Sequence, residues 1–224
     1  MNNGAAALVP LGALVIGSVF GATVQQSHFC SMGGISDAVL FGSFRRLRIW
    51  ALAIAVALLS SQTLHAAGLV DLGGTGYRQP GMFWLGGVLG GLMFGFGMVL
   101  AGGCASRNLV RLGGGSLKAL VTLLVMGVVT YASTLGVLTP LHRALRAVGI
   151  ADVRTIGVLE QGMPALLAAL TGLGAGICAV TATLAIAGAL LAFCWRDAAF
   201  RRVGGELATG LVLGLLVPAG WARC

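Results

Sequence analysis

Two cysteines, Cys30 and Cys104, close the same sequence pattern, which occurs twice in the 224-residue chain. The pattern reads Gly-x-x-Phe-Gly-x8-Cys and begins at Gly17 in the first copy and at Gly91 in the second. In both copies an apolar run notched by glycine leads into a short stretch rich in glycine or serine that carries the thiol. The repeat indicates two helices that are interrupted in the same way, each with a cysteine at the interruption.

The chemistry of such a thiol depends on its charge. A neutral thiol is a weak S–H donor and a soft acceptor, so it can hold a sulfur-rich anion and still release it. A thiolate would repel an anion, and burial in apolar surroundings favours the neutral form. The alternatives are redox chemistry, in which the pair forms a disulfide or carries a persulfide, and a purely structural role.

The remaining cysteines give weaker signals. Cys178 and Cys194 lie in one continuous apolar run and are predicted to be small buried hydrophobes, while Cys224 supports no prediction. The cysteines do not fall in C-x-x-C spacing, and no histidine lies at metal-ligand spacing from a cysteine pair. We therefore expect no metal and no cofactor. No nucleotide-binding glycine loop is present in the sequence, so ATP is not expected to drive the protein directly.

Composition predicts a membrane protein. Hydrophobic residues make up 58% of the chain and charged residues 9%, whereas soluble domains have about 25% charged residues. Because about 20 apolar residues cross a ~30 Å hydrocarbon layer, we predict about six spans, and the first is not expected to be a signal peptide. They lie at roughly 7–27, 48–67, 81–101, 117–138, 162–194 and 203–221. The fifth is predicted to be one tilted or kinked helix with a bend at 172–176.

The net charge of +8 does not indicate a nucleic-acid partner, because the basic residues are spread over loops. Many fall in three segments, 45–48, 107–118 and 196–202. Placing these loops in the cytoplasm makes both cysteine-ended helices run from outside to inside. It predicts a multi-pass protein of the bacterial inner membrane with both termini in the periplasm. We expect one transmembrane domain, 1–224, with an internal repeat at about 17–44 and 91–115, a turn-rich connection at 68–80, and an interfacial or connecting helix within 139–160.

Glycine spacing carries two predictions. Glycines four residues apart, such as Gly17 and Gly21 or the set Gly87, Gly91 and Gly95, predict close helix packing in lipid. Adjacent glycines disfavour helix, so breaks are predicted at Gly33-Gly34, Gly102-Gly103 and 113–115. Non-helical backbone at membrane depth must be buried in protein or line a wet cavity, and broken helices can present a positive N-terminus to an anion. Residues 35–44 and 105–111 are therefore predicted to be re-entrant half-helices in an all-α integral membrane fold.

Polar residues near the cysteines complete the candidate site. His28 either attracts an anion when protonated or marks a helix end at the interface, and Arg107 either contacts the anion or anchors the chain in the cytoplasm. Asp37 is either functional or an ion-pair partner of Arg45 or Arg46. The predicted substrate-binding residues are Cys30, Cys104, His28, Gly33, Gly34, Gly102, Gly103, Ser106 and Arg107.

These stretches resemble a known family. Residues 26–37, Gln-Ser-His-Phe-Cys-Ser-Met-Gly-Gly-Ile-Ser-Asp, and residues 95–113, which contain Gly-Gly-Cys-Ala-Ser and then Arg-Leu-Gly, resemble the two N-terminal cysteine motifs of the YeeE/YedE sulfur-transport family. The closing segment 204–221 is similar to the family segment before its second half. The resemblance implies an inner-membrane helical bundle with re-entrant half-helices, in which thiosulfate passes between cysteine thiols along a central path. Cys30 and Cys104 match the two motif cysteines.

The chain departs from the family pattern in two ways. Family members often carry arginine at the position of His28 and glycine at that of Arg107. The long members also have a second, inverted half with a further Gly-Cys motif, which this sequence lacks. Either the sequence is a piece of a longer chain, or a partner or a second copy supplies that half, a homodimer being the simplest symmetric arrangement.

We therefore predict a membrane permease, not an enzyme, for thiosulfate or a related small sulfur anion. One alternative is a membrane thiol enzyme that relays a persulfide to a cytoplasmic sulfur-carrier protein. Another is an inactive structural subunit. The expected partners are the anion and the lipid bilayer, with no nucleic acid, and the energy source for transport stays open.

Overall fold

The computed structural model describes residues 3–70, 81–152, 168, 172 and 174–221, and within them the all-α class is confirmed. The described residues form ten helices and one pair of short strands. In chain order these are α1 Asn3–Ser27, α2 Ser31–Phe41, α3 Arg45–Ala66, β1 Gly81–Phe83, α4 Trp84–Leu100, α5 Ala105–Gly113, α6 Leu117–Thr134, α7 Thr139–Gly149, β2 Ile150–Asp152, α8 Ala175–Trp195, α9 Ala198–Arg202 and α10 Gly204–Trp221.

Six segments of the described chain are long and apolar enough to cross a membrane, as the sequence predicted. They are Val9–Phe41, Arg45–Ala66, Trp84–Gly113, Leu117–Thr134, Gly176–Trp195 and Gly204–Trp221. The first segment contains α2 and all of α1 from Val9 onward, and the third contains α4 and α5. The two interrupted segments are therefore the two that carry the repeated cysteine pattern.

The chain divides into two compact units, one formed by Met1–Gly74 with Val180–Cys224 and the other by Thr75–Ala179. In the first unit α3 packs against α10 and α2, and α1 also packs against α10. In the second unit α5 packs on α6, while α7 contacts both α4 and α6. The single transmembrane domain stays a prediction.

The α3–α10 contact in the first unit depends on two glycines of α10. A Cβ atom placed on Gly210 would lie 2.7 Å from Leu52 Cδ2, and one placed on Gly214 would lie 2.8 Å from the backbone oxygen of Ala53. Small residues allow helix backbones to approach this closely, and in lipid such packing replaces the hydrophobic drive. Glycine at these two positions therefore sets the distance between the two helices.

The glycines that the sequence singled out for helix packing do not have this role within the described residues. A Cβ atom on any of them would meet nothing within 4 Å among those residues. These glycines are Gly17, Gly21, Gly87, Gly91 and Gly95. The packing prediction is wrong here because a four-residue spacing identifies a smooth helix face but says nothing about which face has a neighbour.

The fifth predicted span is interrupted. Gly172 has a φ of +70° and its amide donates to the carbonyl of Ala168 at 2.8 Å, as at a left-handed helix C-terminus. Helix α8 begins only at Ala175. The prediction of one kinked helix is therefore wrong, because the helix is interrupted at the position where a bend was expected. Most of 162–171 lies outside the described residues.

The predicted interfacial segment begins with α7, which is followed at once by β2. Strand β2 pairs antiparallel with β1, with Gly81 opposite Asp152 and Phe83 opposite Ile150. Strands of three residues are too short to leave an alternating pattern in the sequence, which is why this pair was not predicted. Residues 71–80 and 153–160 of the two predicted connections lie outside the described residues.

We predict that Gly214→Ala destabilises the protein by about 1–3 kcal/mol, the usual cost of overpacking a tight contact. The new methyl group would lie 2.7 Å from Val56 Cβ as well as against α3 backbone. The matched control is Gly21→Ala, which adds the same methyl group to open space. Thermal unfolding of the purified protein in detergent, followed by tryptophan fluorescence, measures both. Equal midpoints for the two variants would contradict the packing described for α3 and α10.

Candidate functional site

The first helix break, in the first unit, spans the three residues His28, Phe29 and Cys30 between α1 and α2. His28 has a φ of 50°, a left-handed conformation that is uncommon outside glycine. Cys30 is extended, with φ −153° and ψ 127°, and forms the N-cap of α2. Its carbonyl oxygen accepts the first helical hydrogen bond, from the amide of Gly34 at 2.9 Å.

This break comes earlier than predicted, because Gly33 and Gly34 lie inside α2 rather than interrupting it. The prediction that this glycine pair breaks the helix is wrong, and the short helix covers Ser31–Phe41 instead of 35–44. Because the two glycines have no side chains, residues of α3 can pack closely against α2. A Cβ atom on Gly34 would lie 3.4 Å from Leu47 Cδ2, and one on Gly33 would lie 2.7 Å from Arg46 Nη1.

Cys30 is almost completely buried, with 1% of its surface exposed. The preceding residue, Phe29, stacks on Trp50 of α3 with ring centroids 4.5 Å apart and an interplanar angle of 19°. Such an aromatic pair contributes about 0.5–1.5 kcal/mol beyond the burial of its area. The stack therefore fixes the chain next to the cysteine against α3.

An arginine lies against the first turn of α2, the helix that Cys30 begins. The point that a Gly33 Cβ would occupy is 2.7 Å from Arg46 Nη1 and 3.6 Å from Cys30 Cβ. The Nε atom of the same guanidinium group lies 3.3 Å from Asp37 Oδ2. The predicted pairing of Asp37 with a neighbouring arginine is confirmed, and it holds the guanidinium group across the first turn of α2.

The second helix break, in the second unit, lies between α4 and α5, and glycine makes it possible. Gly102 has a φ of +67° and Gly103 a φ of +152°, values at which a side chain is strained. This part of the sequence prediction is confirmed. The short helix that follows, Ala105–Gly113, closely matches the predicted 105–111, whereas its re-entrant placement stays a prediction.

Two side chains of α5 satisfy the carbonyl groups of this break. Asn108, which is 2% exposed, donates from Nδ2 to the Gly103 oxygen at 3.3 Å. Arg111 donates from Nη1 to the Gly102 oxygen at 3.2 Å. Gly103 is buried and an unpaired buried carbonyl would be costly, so the bond from Asn108 stabilises the interruption, while the bond from Arg111 serves the exposed Gly102 carbonyl. Sequence reasoning missed both roles, although a polar residue four positions after the cysteine was an available signal.

Cys104 is 6% exposed and forms the N-cap of α5, with φ −71° and ψ 169°. Its sulfur lies 3.1 Å from the Ser106 hydroxyl oxygen, and either group can donate. The stem of Arg107 packs against the break, since a Gly103 Cβ would lie 3.1 Å from Arg107 Cδ. The second unit therefore brings together the five predicted residues Gly102, Gly103, Cys104, Ser106 and Arg107.

The predicted site residues thus form two groups, one in each unit, with the same local arrangement. In each, a buried cysteine in extended conformation begins a short helix after a break in a membrane segment. In the described chain, neither sulfur caps the helix that follows it. The start of a helix carries partial positive charge, so each thiol lies where an anion would be stabilised.

Three ion pairs surround the start of α3 in the first unit. They join arginines of one helix to carboxylates of α2, of the α8–α9 turn and of α10. The pairs are Arg46–Asp37, Arg48–Asp197 and Arg45–Glu206. The guanidinium group of Arg48 also lies 5.4 Å from the centre of the Phe193 ring, a cation–π distance. The basic segment 45–48, which the sequence marked as a topology signal and as a possible partner of Asp37, therefore ties three other elements to α3.

These observations define a multi-pass helical membrane protein in which two membrane segments are broken at a buried cysteine. The chain belongs to the sulphur transport family, whose model matches residues 26–224.

Curated relatives agree with this assignment. The chain is 37% identical over 122 residues to the thiosulfate transporter TsuA of Escherichia coli (strain K12), a match that covers 53% of this chain and 33% of the relative. It is 30% identical over 123 residues to the thiosulfate transporter TsuA of Spirochaeta thermophila, covering 55% and 36%. A probable transporter, YedE of Escherichia coli (strain K12), is 30% identical over 101 residues, covering 44% and 23%. The chain spans about a third of the length of the curated TsuA relatives that it matches.

We predict that Asn108→Ala loosens the second break and speeds alkylation of Cys104. Loss of the bond to the Gly103 carbonyl leaves a buried acceptor unsatisfied, at a cost of about 1–3 kcal/mol, so the locally open state should become roughly 5- to 100-fold more populated. Mass spectrometry of maleimide-labelled peptides measures the rate. Cys30 in the same molecule is the internal control. Equal acceleration at both cysteines, or at neither, would contradict this role of Asn108.

Proposed function

We propose that this protein takes part in moving thiosulfate, or a related small sulfur-containing anion, across the bacterial inner membrane. Cys30 and Cys104 act as successive thiol contacts for the anion. Family membership supports the class of substrate, and the two TsuA relatives are named for thiosulfate. The observation that carries the proposal is the repeated placement of a buried cysteine at the start of a short helix after a break.

The chemistry of this arrangement suits a transient stop for a dianion. A thiol offers a weak S–H donor and a soft sulfur surface, and the first turn of the helix offers backbone N–H groups. None of these groups carries a full charge, so the anion is attracted without being trapped. Oxygen-only anions gain less from the soft sulfur, which gives the thiols a basis for selecting sulfur compounds.

Arginines near both helix breaks supply longer-range attraction. Arg46 lies beside Gly33 at the first thiol, and Arg107 lies beside Gly103 at the second. The carboxylate of Asp37 holds Arg46 at 3.3 Å, which offsets part of the positive charge. The anion is therefore drawn toward the first thiol without meeting a full uncompensated cation.

The proposed topology places the three basic loops in the cytoplasm and both termini in the periplasm. The pairing of Arg45, Arg46 and Arg48 with carboxylates does not weaken this assignment, because orientation follows lysine and arginine counts rather than net charge. In this orientation α1 and α4 both lead from the periplasm to their cysteine.

We further propose that additional protein completes the pathway, because the matched TsuA relatives extend well beyond the region that this chain covers. A second copy of the chain is the simplest source, since homo-oligomers favour closed two-fold symmetry. On the cytoplasmic side, a sulfur-carrier protein is the expected acceptor of the anion or of its sulfur. The protein itself is proposed to be a transporter rather than an enzyme.

Uptake of radiolabelled thiosulfate by cells that lack their own uptake system tests the proposal. Cys30→Ala and Cys104→Ala should each reduce initial uptake at least tenfold, because loss of a donor to a charged ligand costs about 1.5–3 kcal/mol. The matched control is Cys178→Ala, which removes another buried thiol from α8. Immunoblotting of membranes checks that all variants are made equally.

Other outcomes separate the alternatives. Wild-type uptake by both Cys30→Ala and Cys104→Ala would refute the proposed thiol contacts and favour a structural subunit. A persulfide on purified Cys30 or Cys104, found by mass spectrometry in a protein that shows no uptake, would favour the sulfur-relay enzyme.

A further inference from the structure

A polar pocket of about 540 Å³ lies in the first unit, next to the first helix break. We propose that it is a staging site for a small oxyanion, which waits there between the first thiol and the aqueous phase. The inference rests on the proposed transport function and adds a further anion-binding site to the proposed pathway. Its volume falls within the range of about 300–1,000 Å³ that is typical of small-molecule sites.

The walls of the pocket carry polar side chains from three helices and one break, although the hydroxyl groups of Ser27 and Thr209 already donate to the carbonyl oxygens of Thr23 and Gly205. The lining includes Ser27, His28, Arg45, Arg46 and Thr209. Two of these carry guanidinium groups, each with five N–H donors in a planar fork that matches tetrahedral oxyanions as well as carboxylates. The donor set is therefore suited to an oxyanion such as thiosulfate or sulfate.

Two carboxylates in the lining of the pocket compete with an incoming anion for the arginines. Glu206 Oε1 lies 2.5 Å from Arg45 Nη2, and Asp37 Oδ2 lies 3.3 Å from Arg46 Nε. The Arg45 side chain is 52% exposed, so its ion pair contributes little net stability and can be exchanged. An arriving anion must replace or share a tethered carboxylate, which keeps its binding weak and its release fast.

Arg46 connects the pocket to the first thiol. It lines the pocket, and its Nη1 atom lies beside the first turn of α2, where Cys30 Cβ is also a neighbour of the Gly33 position. An anion that leaves Cys30 can therefore keep contact with the same guanidinium group as it enters the pocket. Because the basic segment 45–48 is predicted to be cytoplasmic, the staging site is the last binding site before the anion enters the cytoplasm.

The pocket and the thiol should differ in selectivity. The pocket presents the hard N–H donors of its two guanidinium groups, which bind the oxygen atoms that thiosulfate and sulfate share. The soft sulfur of Cys30 distinguishes the two anions. We therefore expect sulfate to compete with thiosulfate for the pocket with similar affinity, although sulfate is a poor substrate for transport.

Equilibrium binding of radiolabelled thiosulfate to the purified full chain, in nanodiscs of zwitterionic lipid, tests the inference. Arg45→Gln should weaken binding roughly tenfold, because it removes a charged donor and leaves Glu206 to repel the anion. Glu206→Gln should strengthen binding by a similar factor, because Arg45 loses its competitor. The matched control is Arg201→Gln, which changes an exposed arginine of α9 outside the pocket lining and should leave binding unchanged.

The opposite signs make the test specific, since a merely structural role for the Arg45–Glu206 pair would make both variants lose binding. Equal losses, or no change in either variant, would overturn the staging site. Failure of unlabelled sulfate to compete would also overturn it.

Cys30→Ala separates this inference from the proposed function. We expect the variant to lose uptake and to keep thiosulfate binding that still responds to Arg45→Gln. Loss of uptake in Cys30→Ala without any pocket variant affecting binding would leave the transport proposal standing and remove the staging site. Pocket binding that responds to Arg45→Gln, in a protein whose cysteine variants all transport normally, would keep the pocket site and remove the proposed thiol contacts.

A lipid phosphate is the other source of the same chemistry. Adding phosphatidylglycerol to the nanodiscs should leave thiosulfate binding unchanged if the pocket serves a soluble anion. Strong inhibition that millimolar thiosulfate does not relieve would identify a lipid headgroup as the occupant and contradict the staging role.

Discussion

The structure depends on one constraint, which is that an interrupted helix inside a membrane must satisfy its backbone polar groups without water. An N–H or C=O group left unpaired in the hydrocarbon layer costs several kcal/mol. Each break in this protein therefore needs dedicated neighbours, and those neighbours determine where the adjacent cysteine lies. The burial of Cys30 and Cys104 follows from how the two breaks are closed.

The two units meet this constraint in different ways. In the first, the carbonyl oxygen of Cys30 accepts from the amide of Gly34 at 2.9 Å, and the stack of Phe29 on Trp50 holds the break against α3. In the second, glycines form the break itself, and the side chains of Asn108 and Arg111 donate hydrogen bonds to its carbonyl groups. Both solutions leave an extended cysteine at the N-cap of a short helix. The local geometry is thus repeated although the supporting residues are not.

Much of this could be predicted from the sequence, where the signal is local. Apolar length gives the six membrane segments, and the pair Gly102-Gly103 gives the second break, because adjacent glycines destabilise any helix. The same rule fails at Gly33-Gly34, since the first turn of a helix tolerates glycine and the bend is made by His28 instead. Helix packing was assigned to the wrong glycines because Gly210 and Gly214 are identified only by what faces them. Two of the three ion pairs of α3, Arg45 with Glu206 and Arg48 with Asp197, were missed because their carboxylates are distant in sequence.

Ion pairing also changes how the basic segment 45–48 is understood. Counted as charges, its arginines predict the orientation of the chain in the membrane. Paired with three carboxylates, they hold α2, α10 and the α8–α9 turn around α3. A guanidinium group that is partly compensated in this way attracts an anion less strongly than a bare arginine does, which favours release. The same residues can thus serve topology, folding and substrate handling.

An experimental structure of the protein with thiosulfate bound would test most directly whether the buried thiols contact the transported anion. We predict density for the anion in hydrogen-bonding contact with Cys30 Sγ or Cys104 Sγ and with the first-turn N–H groups of the helix that follows. An anion held elsewhere, with both sulfur atoms packed only against apolar side chains, would contradict the role proposed for them.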